Sequence, residues 1–511
     1  MTESTLTRRA FTGALSGAAG LQDAPRKRPN LVFVFSDQQS WDMLGCYGNR
    51  SIVTPNLDRL AAEGVRFNHC ISSSPLCTPF RGLLLSGLHP MQSGALENDV
   101  RMIAGDGDYF GEVLRDAGYR MGYVGKWHLY GGNRVRPIPP GRDRYGFDHT
   151  FLSNNCTVVF DKDRSYYWDE NGQRTPYGDW EPYAQTRQAL RFIDDNADRP
   201  FALFLSWHPP HNWAPVRPPA KGPEDGYGAP EDCLKLYDPA AIPLRGNVAD
   251  TPSVRGVYRG HMAMCTSLDR AFGWVTEKLE QTGLAKNTLV VYTSDHGDTL
   301  LSHGFRHNKM RPEAESIRVP LLMRYPGVLR PRASDLLVGT LDLMPTLLDL
   351  MGLRVPAACA GRSLRPAIVN QRDGEVESVP LFLSPLDWRG VYTRRYTYSF
   401  DTGKGGWSLY RESYFQQPGN ISWNCLYDRE TDRWEQRNLF GSAAHRRLRA
   451  RLHEQSLAWM RRFGDPGLPH EVLSRCVYRA EDVALQRARG FGRASGILRG
   501  RPADLIPQCA T

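Results

Sequence analysis

Asp37, Lys126 and His128, His208 and His211, and Asp295 and His296 all stand just beyond the C-terminal ends of short apolar runs, at 31–35, 119–124, 201–205 and 289–292. Carboxylates and imidazoles are residue types of metal binding and proton transfer, and lysines supply fixed positive charge for an anion. Scattered surface polars would not fall repeatedly after successive strands, so the pattern points to a single active site on one side of a sheet. Cys77 adds a thiol within Cys77-Thr78-Pro79-Phe80-Arg81. Taken alone, that stretch also suits a plain helix start with proline in the first turn, and a lone cysteine usually packs as a small apolar residue.

The elements that must position these residues are legible in outline. The four runs are continuously apolar, as strands covered on both faces are. A helix begins after Thr54, with Pro55 in its first position and Gly64 as its stop; others are expected at 108–117, 262–279 and 341–350. Short strands alternating with helices predict an α/β domain whose mainly parallel sheet is flanked by helices, with ligands bound beyond the carboxyl ends of the strands. Residues 355–378 are rich in Pro, Gly and Arg and read as a junction. Beyond it, 390–398 and 424–428 read as exposed or edge strands, followed by a helix at 447–460, which together predict a smaller C-terminal α+β domain with an antiparallel sheet. The expected division is 1–28 as export signal or tail, 29–385 as catalytic domain and 386–511 as the smaller domain with its tail, which includes the Arg/Gly/Ala segment 486–499.

Cys77-Thr78-Pro79-Phe80-Arg81, running into Gly82-Leu83-Leu84-Leu85-Ser86-Gly87, resembles the C-x-P-x-R signature of the type I, formylglycine-dependent sulfatases of the alkaline phosphatase superfamily. Gly118-Tyr119-Arg120-Met121-Gly122-Tyr123-Val124-Gly125-Lys126-Trp127-His128 is similar to that family's second signature, with Met121 in place of the usual Thr. Thr293-Ser294-Asp295-His296-Gly297-Asp298 resembles its metal-binding segment, and Glu315-Ser316-Ile317-Arg318-Val319-Pro320 matches a further one downstream of Lys309. Glu313 and Ala314 stand where a Tyr and a Glu are usual. Leu341-Asp342-Leu343-Met344-Pro345 is also similar to a family segment, and the likeness covers roughly residues 29–440 in the family's order.

The resemblance implies hydrolysis of a sulfate ester to alcohol and inorganic sulfate. Cys77 would be oxidised after synthesis by a formylglycine-generating enzyme, and one hydroxyl of the hydrated aldehyde would attack sulfur, with Asp295 as base. Asp37, Gln38, Asp295 and His296, with an oxygen of the modified Cys77, are the implied ligands of one divalent metal ion; Ca2+ is expected, with Mg2+ and Mn2+ open. Gln38 stands where many members carry a second Asp, and His296 where many carry Asn. By the same likeness Arg81 would hold the gem-diol, while Lys126 and Lys309 would bind sulfate oxygens. His211, with Lys309, would protonate the leaving oxygen, and His128 would deprotonate the second hydroxyl to regenerate the aldehyde. His208 reads as a core or loop histidine, and His303 and His307 as packing residues near the site.

The formal charge of +9 and pI near 9.0 suit anionic ligands such as sulfated sugars, and equally suit plain solubility. No basic–aromatic nucleic-acid motif is present. Ten cysteines without a C-x-x-C pair or paired spacing argue against a zinc ribbon or disulfide scaffold, and one or two bridges stay open if the protein is exported. No apolar run reaches the roughly twenty residues of a membrane span. Arg8-Arg9 before a Gly/Ala-rich segment resembles a Tat signal, so a periplasmic or secreted protein is expected, and a cytoplasmic one if no export occurs. Expected partners are a sulfated small molecule or carbohydrate and the formylglycine-generating enzyme. The aromatic segment 160–183 is the expected pocket wall; Trp180, Trp213 and Trp407 could stack on sugar or aryl rings, although packing is the commoner role for each. Two other readings share these residues: a phosphonate or phosphate ester hydrolase of the same superfamily, and a catalytically silent sulfated-glycan-binding protein.

Overall fold

The computed structural model describes residues 28–102, 108–131, 134–213, 226–304, 309–402 and 422–477. Arg8 and Arg9, His307, Trp407 and the segment 486–499 lie outside the described residues.

The larger sheet has eleven strands: β1 (Asn30–Asp37), β2 (Val65–Ile71), β3 (Arg120–Lys126), β4 (Thr150–Asn154), β5 (Tyr166–Trp168), β6 (Arg174–Pro176), β7 (Phe201–Pro210), β8 (Thr288–Ser294), β9 (Arg318–Val319), β10 (Leu321–Arg324) and β11 (Arg332–Gly339). Their order is β11-β2-β10-β8-β1-β7-β3-β4-β5-β6, with β9 paired to β2. β1 is central and runs parallel to β7 on one side and β8 on the other. β3 runs parallel to β7 and to β4, whereas β10 is antiparallel to both β8 and β2. The expected α/β class with a mainly parallel sheet is what forms.

Alternation within β1 explains why it reads as a continuous apolar run. Leu31, Phe33 and Phe35 enter one core with Leu84 of the helix Cys77–Ser86 and Leu347 of the helix Thr340–Leu350. Val32 and Val34 enter a second core with Phe192 of the helix Glu181–Asp195 and Phe272 of the helix Pro252–Gln281. Both faces are covered, so neither can be polar. The helix predicted at 262–279 begins earlier, where Thr251 Oγ1 accepts from Val254 N at 3.3 Å as its N-cap. Thr54 sits at its predicted cap position, but its hydroxyl donates to Asp58 Oδ1 at 3.3 Å and accepts from Gly45 N at 2.8 Å instead of capping.

A four-stranded antiparallel sheet follows, in the order β12 (Val379–Leu383), β13 (Trp388–Tyr392), β14 (Tyr396–Asp401), β15 (Cys425–Asp428). The stretch 390–398 is thus two strands of a hairpin, turned where Thr393 N donates to Tyr396 O at 2.9 Å. β13 is buried throughout and is not an exposed edge: Val391 packs under Leu452 of the helix Arg446–Phe463, while Trp388 and Tyr392 join the core of the larger sheet. Cys46, Cys70, Cys77, Cys156, Cys233, Cys265, Cys359 and Cys425 are free thiols.

Gly125, just before Lys126 on β3, has φ +113, and a Cβ there would lie 2.0 Å from Ser206 O on β7. Gly125→Ala combines an unfavourable dihedral with a backbone collision. A destabilisation of about 2–4 kcal/mol is expected, read as a lowered urea midpoint with unchanged slope.

Candidate active site

Cys77 is the first residue of the helix Cys77–Ser86, and every residue of that helix is buried. Arg81 lies one turn later and shares its face. The guanidinium therefore projects beneath the thiol and meets the ends of the central strands. Arg81 Nη1 donates to Lys126 O at 2.7 Å and Ser206 Oγ at 2.8 Å; Nη2 reaches Asp37 Oδ2 at 3.2 Å and Asp295 Oδ2 at 3.5 Å. Lys126 Nζ donates to Asp37 Oδ2 at 2.6 Å. Asp37 ends β1, Lys126 ends β3 and Asp295 follows β8, so the parallel register brings them to one edge as the strand-end pattern predicts.

Cys77 Sγ sits 3.3 Å from His296 Nε2, 3.3 Å from Lys309 Nζ and 3.7 Å from Asp37 Oδ1. Burial and Asp37 push the thiol's pKa up, but Lys126, Lys309 and His296 outweigh them and hold it well below the ordinary value. Burial likewise pushes the Asp37 carboxyl up, and the Lys126 and Lys309 charges outweigh it and hold the group well below the usual range. Asp295 goes the other way, to about 7, through burial and then the neighbouring Asp37 charge.

Each histidine has a different assignment. His296 Nδ1 lies 3.0 Å from Gly297 O, which can only accept, so Nδ1 carries a proton; burial disfavours charge on the ring but Asp295 raises its pKa, and Nε2 is the nitrogen that faces Cys77. His211 Nδ1 likewise donates to Asn212 O at 2.7 Å, and Nε2 accepts from Lys309 Nζ at 2.8 Å. Burial and Lys309 hold His211 well below its ordinary pKa, so it is neutral and the transferable proton of the pair sits on Lys309. His128 Nε2 is 2.9 Å from Asp99 Oδ1, and its carbonyl accepts from Thr78 Oγ1 at 2.8 Å. Burial and Lys126 disfavour its charge, yet the facing Cys156, as its thiolate, and the Asp99 hydrogen bond push its pKa up to about 10. His208 is a core residue: neither ring nitrogen has a hydrogen-bond partner, and it packs edge-on to Phe160 and His211. His303 Nε2 lies 3.0 Å from Asn247 Nδ2 and 3.7 Å from Glu315 Oε1, which braces the loop and does not place it at Cys77.

The residues fit a metal ion. Ligand atoms of Asp37, Cys77, Asp295 and His296 all lie within 4.8 Å of one another and are buried. Gln38 Nε2 donates to Asp298 Oδ2 at 2.8 Å and Asn212 Oδ1 at 3.2 Å, while its buried Oε1 accepts nothing. An orphaned buried acceptor beside two carboxylates is the environment a hard cation satisfies. Asp99, Ser206 and Asp298 were missed in the sequence. Asp298 alone carried a signal, since it closes the Thr293–Asp298 segment.

A cavity of about 650 Å3 opens nearby, lined by Asp161, Arg164, Trp180, Trp213, Tyr227 and Arg259. Tyr227 joins it to the site by donating to Asp298 Oδ2 at 2.6 Å. Trp180 and Trp213 are therefore wall residues, although both rings are largely buried and Trp180 Nε1 is spent on Ser267 Oγ at 3.1 Å.

Residues 29–353 match the sulfatase family model. The chain belongs to the sulfatase family. Residues 302–462 also match the C-terminal model of N-sulphoglucosamine sulphohydrolase. The chain is similar to an ulvan-active sulfatase of Formosa agariphila, 30% identical with 87% of this chain and 83% of that protein covered. It is also similar to an endo-4-O-sulfatase of Bacteroides thetaiotaomicron, 27% identical with 88% and 95% covered. The solved yidJ protein of Bacteroides fragilis superimposes with a TM-score of 0.75 at 28% identity, covering 88% of this chain and 99% of that one. This sulfatase is a sulfuric ester hydrolase that binds a sulfated substrate, and family membership implies a metal ion and a formylglycine. Among the described residues no helix is long and apolar enough to cross a membrane.

Asp295 generates a pH prediction. With the cation absent its pKa lies near 7, so below that value it holds a proton that a cation must displace. Calorimetric Ca2+ titration in buffers of different ionisation enthalpy should show release of about one proton per ion near pH 6, falling toward zero above about pH 8.

Proposed function

We propose that Cys77 works as formylglycine, converted by a formylglycine-generating enzyme, and that the ester is cleaved by attack of its hydrated aldehyde on sulfur. The observation that carries this reading is the buried Cys77 side chain held at 3.3–3.7 Å from His296, Lys309 and Asp37 together. Asp37, Gln38, Asp295 and His296 would hold the metal ion, with Ca2+ the best match to three oxygen donors on a charge-poor set. When bound, such an ion acts as a Lewis acid on oxygens of residue 77 and sulfate.

In this reading one hydroxyl of residue 77 loses its proton to Asp295 and bonds to sulfur as the bond from sulfur to the ester oxygen breaks. Lys126 and Arg81 face the developing oxygen charge. Lys309 gives its proton to the leaving alcohol oxygen, with His211 accepting a hydrogen bond from it and keeping it oriented. The neutral amine left behind is then the nearest base to residue 77. It takes the proton of the second hydroxyl as the C=O forms, the bond from that carbon's oxygen to sulfur breaks, and sulfate leaves. By the family resemblance this last step would fall to His128. Its Nε2 is engaged with Asp99 and its pKa is pushed up to about 10, which favours Lys309 for it.

A carbohydrate sulfate is the proposed substrate class. The cavity with Arg164, Arg259 and two tryptophans beside the site, and the ulvan-active and endo-4-O-sulfatase relatives, support it. The Arg8-Arg9 leader supports export to the periplasm or beyond.

Protein co-expressed with a formylglycine-generating enzyme should show Cys77 converted, by peptide mass spectrometry, and should turn over 4-nitrophenyl sulfate. Cys77→Ala should lower kcat by about 10⁴-fold or more, and chelation should abolish turnover that Ca2+ restores. Undiminished turnover by an unconverted thiol would sink the reading.

A further inference from the structure

Asp99 has no place in the reaction described above, yet three features converge on it. Its backbone is left-handed at φ +64, and so is that of His128 at φ +58. Non-glycine residues adopt this region at a cost, and such positions cluster at functional sites. The two meet in one contact, His128 Nε2 donating to Asp99 Oδ1 at 2.9 Å. Arg134 clamps the same carboxylate in a bidentate fork, Nε to Oδ1 at 2.8 Å and Nη2 to Oδ2 at 2.7 Å. The preceding residue ties this turn to the nucleophile, since Asn98 Oδ1 accepts Thr78 N at 3.0 Å.

A carboxylate only accepts, so the bond fixes the proton on Nε2 and leaves Nδ1 as the one ring nitrogen free to meet another group. Nδ1 is buried, makes no hydrogen bond of ordinary geometry and has the Cys156 sulfur as its facing neighbour. We propose that Asp99, braced by Arg134, is a positioning residue that holds His128 as a fixed imidazolium, so that His128 serves the sulfate group as a charged donor through Nδ1 and not as a base. This rests on the sulfatase reading of the site.

The groups that bear on the His128 charge are Asp99, the Cys156 thiolate and the Lys126 ammonium. Asp99 and Cys156 favour the cation, while Lys126 and burial oppose it, so neutralising Asp99 removes one of two supports and lowers the His128 pKa. The sign follows directly. A His128 needed as a cation loses function as pH rises through its lowered pKa, which places a falling limb at neutral pH. A His128 needed as a base would instead gain function there.

The test is the pH profile of 4-nitrophenyl sulfate turnover by the converted wild-type enzyme, Asp99→Asn and Arg134→Gln. Asp99→Asn keeps an acceptor of the same shape without its charge. It should raise KM about tenfold, change kcat less, and bring a falling limb into the range of about pH 6.5–8 that the wild type lacks. Arg134→Gln leaves the carboxylate in place, so KM should rise with no limb in that range. The second readout does not depend on turnover: ¹⁵N-histidine NMR, with the His128 signals identified by their loss in His128→Gln. They should report a charged ring through about pH 8 in the wild type and a neutral, Nε2-protonated ring in Asp99→Asn. A profile of Asp99→Asn that overlays the wild type, or activity that rises at neutral pH, would overturn the proposal. So would a His128 signal that is neutral at pH 7 in the wild type. A wild type without sulfatase turnover would refute the reading of the site, and the NMR titration would still decide whether Asp99 holds His128 charged.

Discussion

Two carboxylates, Asp37 and Asp295, are fully buried at the carboxyl edge of the central strands, and the rest of the site is arranged around making them tolerable. Each buried ion costs several kcal/mol in lost hydration unless charge and hydrogen bonds replace the water. Lys126 and Arg81 bring positive charge to Asp37 at 2.6 and 3.2 Å, whereas Asp295 has a 3.5 Å share of Arg81 beside backbone hydrogen bonds from Gln38 N at 3.0 Å and His296 N at 2.8 Å. The result is one carboxylate held ionised and one pushed toward neutrality. That imbalance suits a further positive charge among Asp37, Cys77, Asp295 and His296, whose ligand atoms all lie within 4.8 Å of one another. The compensating groups come from four elements, so the network forms only when β1, β3, β8 and the helix Cys77–Ser86 are all docked. Catalytic geometry and folding are in this sense one constraint.

Three histidines of the site, His128, His211 and His296, differ in the kind of partner that their second nitrogen takes. His211 and His296 each spend Nδ1–H on a backbone carbonyl, which frees Nε2 as an acceptor or ligand. His128 spends Nε2 on a carboxylate, which favours the cation. A backbone carbonyl fixes a tautomer without adding charge, whereas a carboxylate does both. The type of partner, more than the distance to the nucleophile, thus decides whether a ring can accept, ligate or stay charged.

The larger sheet was legible where strands are buried on both faces, because continuous apolar runs such as that of β1 have few other uses. β2, β10 and β11 were not singled out. β2 alternates, with Arg66, Asn68 and His69 partly exposed, and β10 has only four residues, Leu321–Arg324. β11 opens with Arg332-Ala333-Ser334-Asp335 and reads as polar until its second half. The single strand expected at 390–398 was a hairpin because Thr393-Arg394-Arg395 carries no Gly or Pro to announce a turn. For the site, strand ends and motifs located Asp37, Lys126, Asp295 and His296. Asp99 and Ser206 escaped because their role depends on what lies across the fold from them. Asp99 is 29 residues from His128 in sequence, and Ser206 is 125 from Arg81.

The smaller sheet has a part in placing Lys309, and it explains a departure in the sequence. Trp388 Nε1 on β13 donates to Met310 O at 3.1 Å, and Met310 N donates to Pro75 O at 3.3 Å, so the residue after Lys309 is fixed between the two sheets. Downstream, Glu313 and Ala314 replace a usual Tyr and Glu. A buried carboxylate at Glu313 needs partners, and it has them: Arg311 grips it at 3.0 and 2.8 Å and Tyr427 on β15 reaches it at 3.5 Å. Ala314 lacks a side-chain acid, and Glu435, from beyond β15, supplies one to its backbone, accepting Ala314 N at 2.6 Å. The segment that carries Lys309 is consequently held by charges and rings of the smaller sheet, and the positive charge beside residue 77 is as much a product of that sheet as of the larger one.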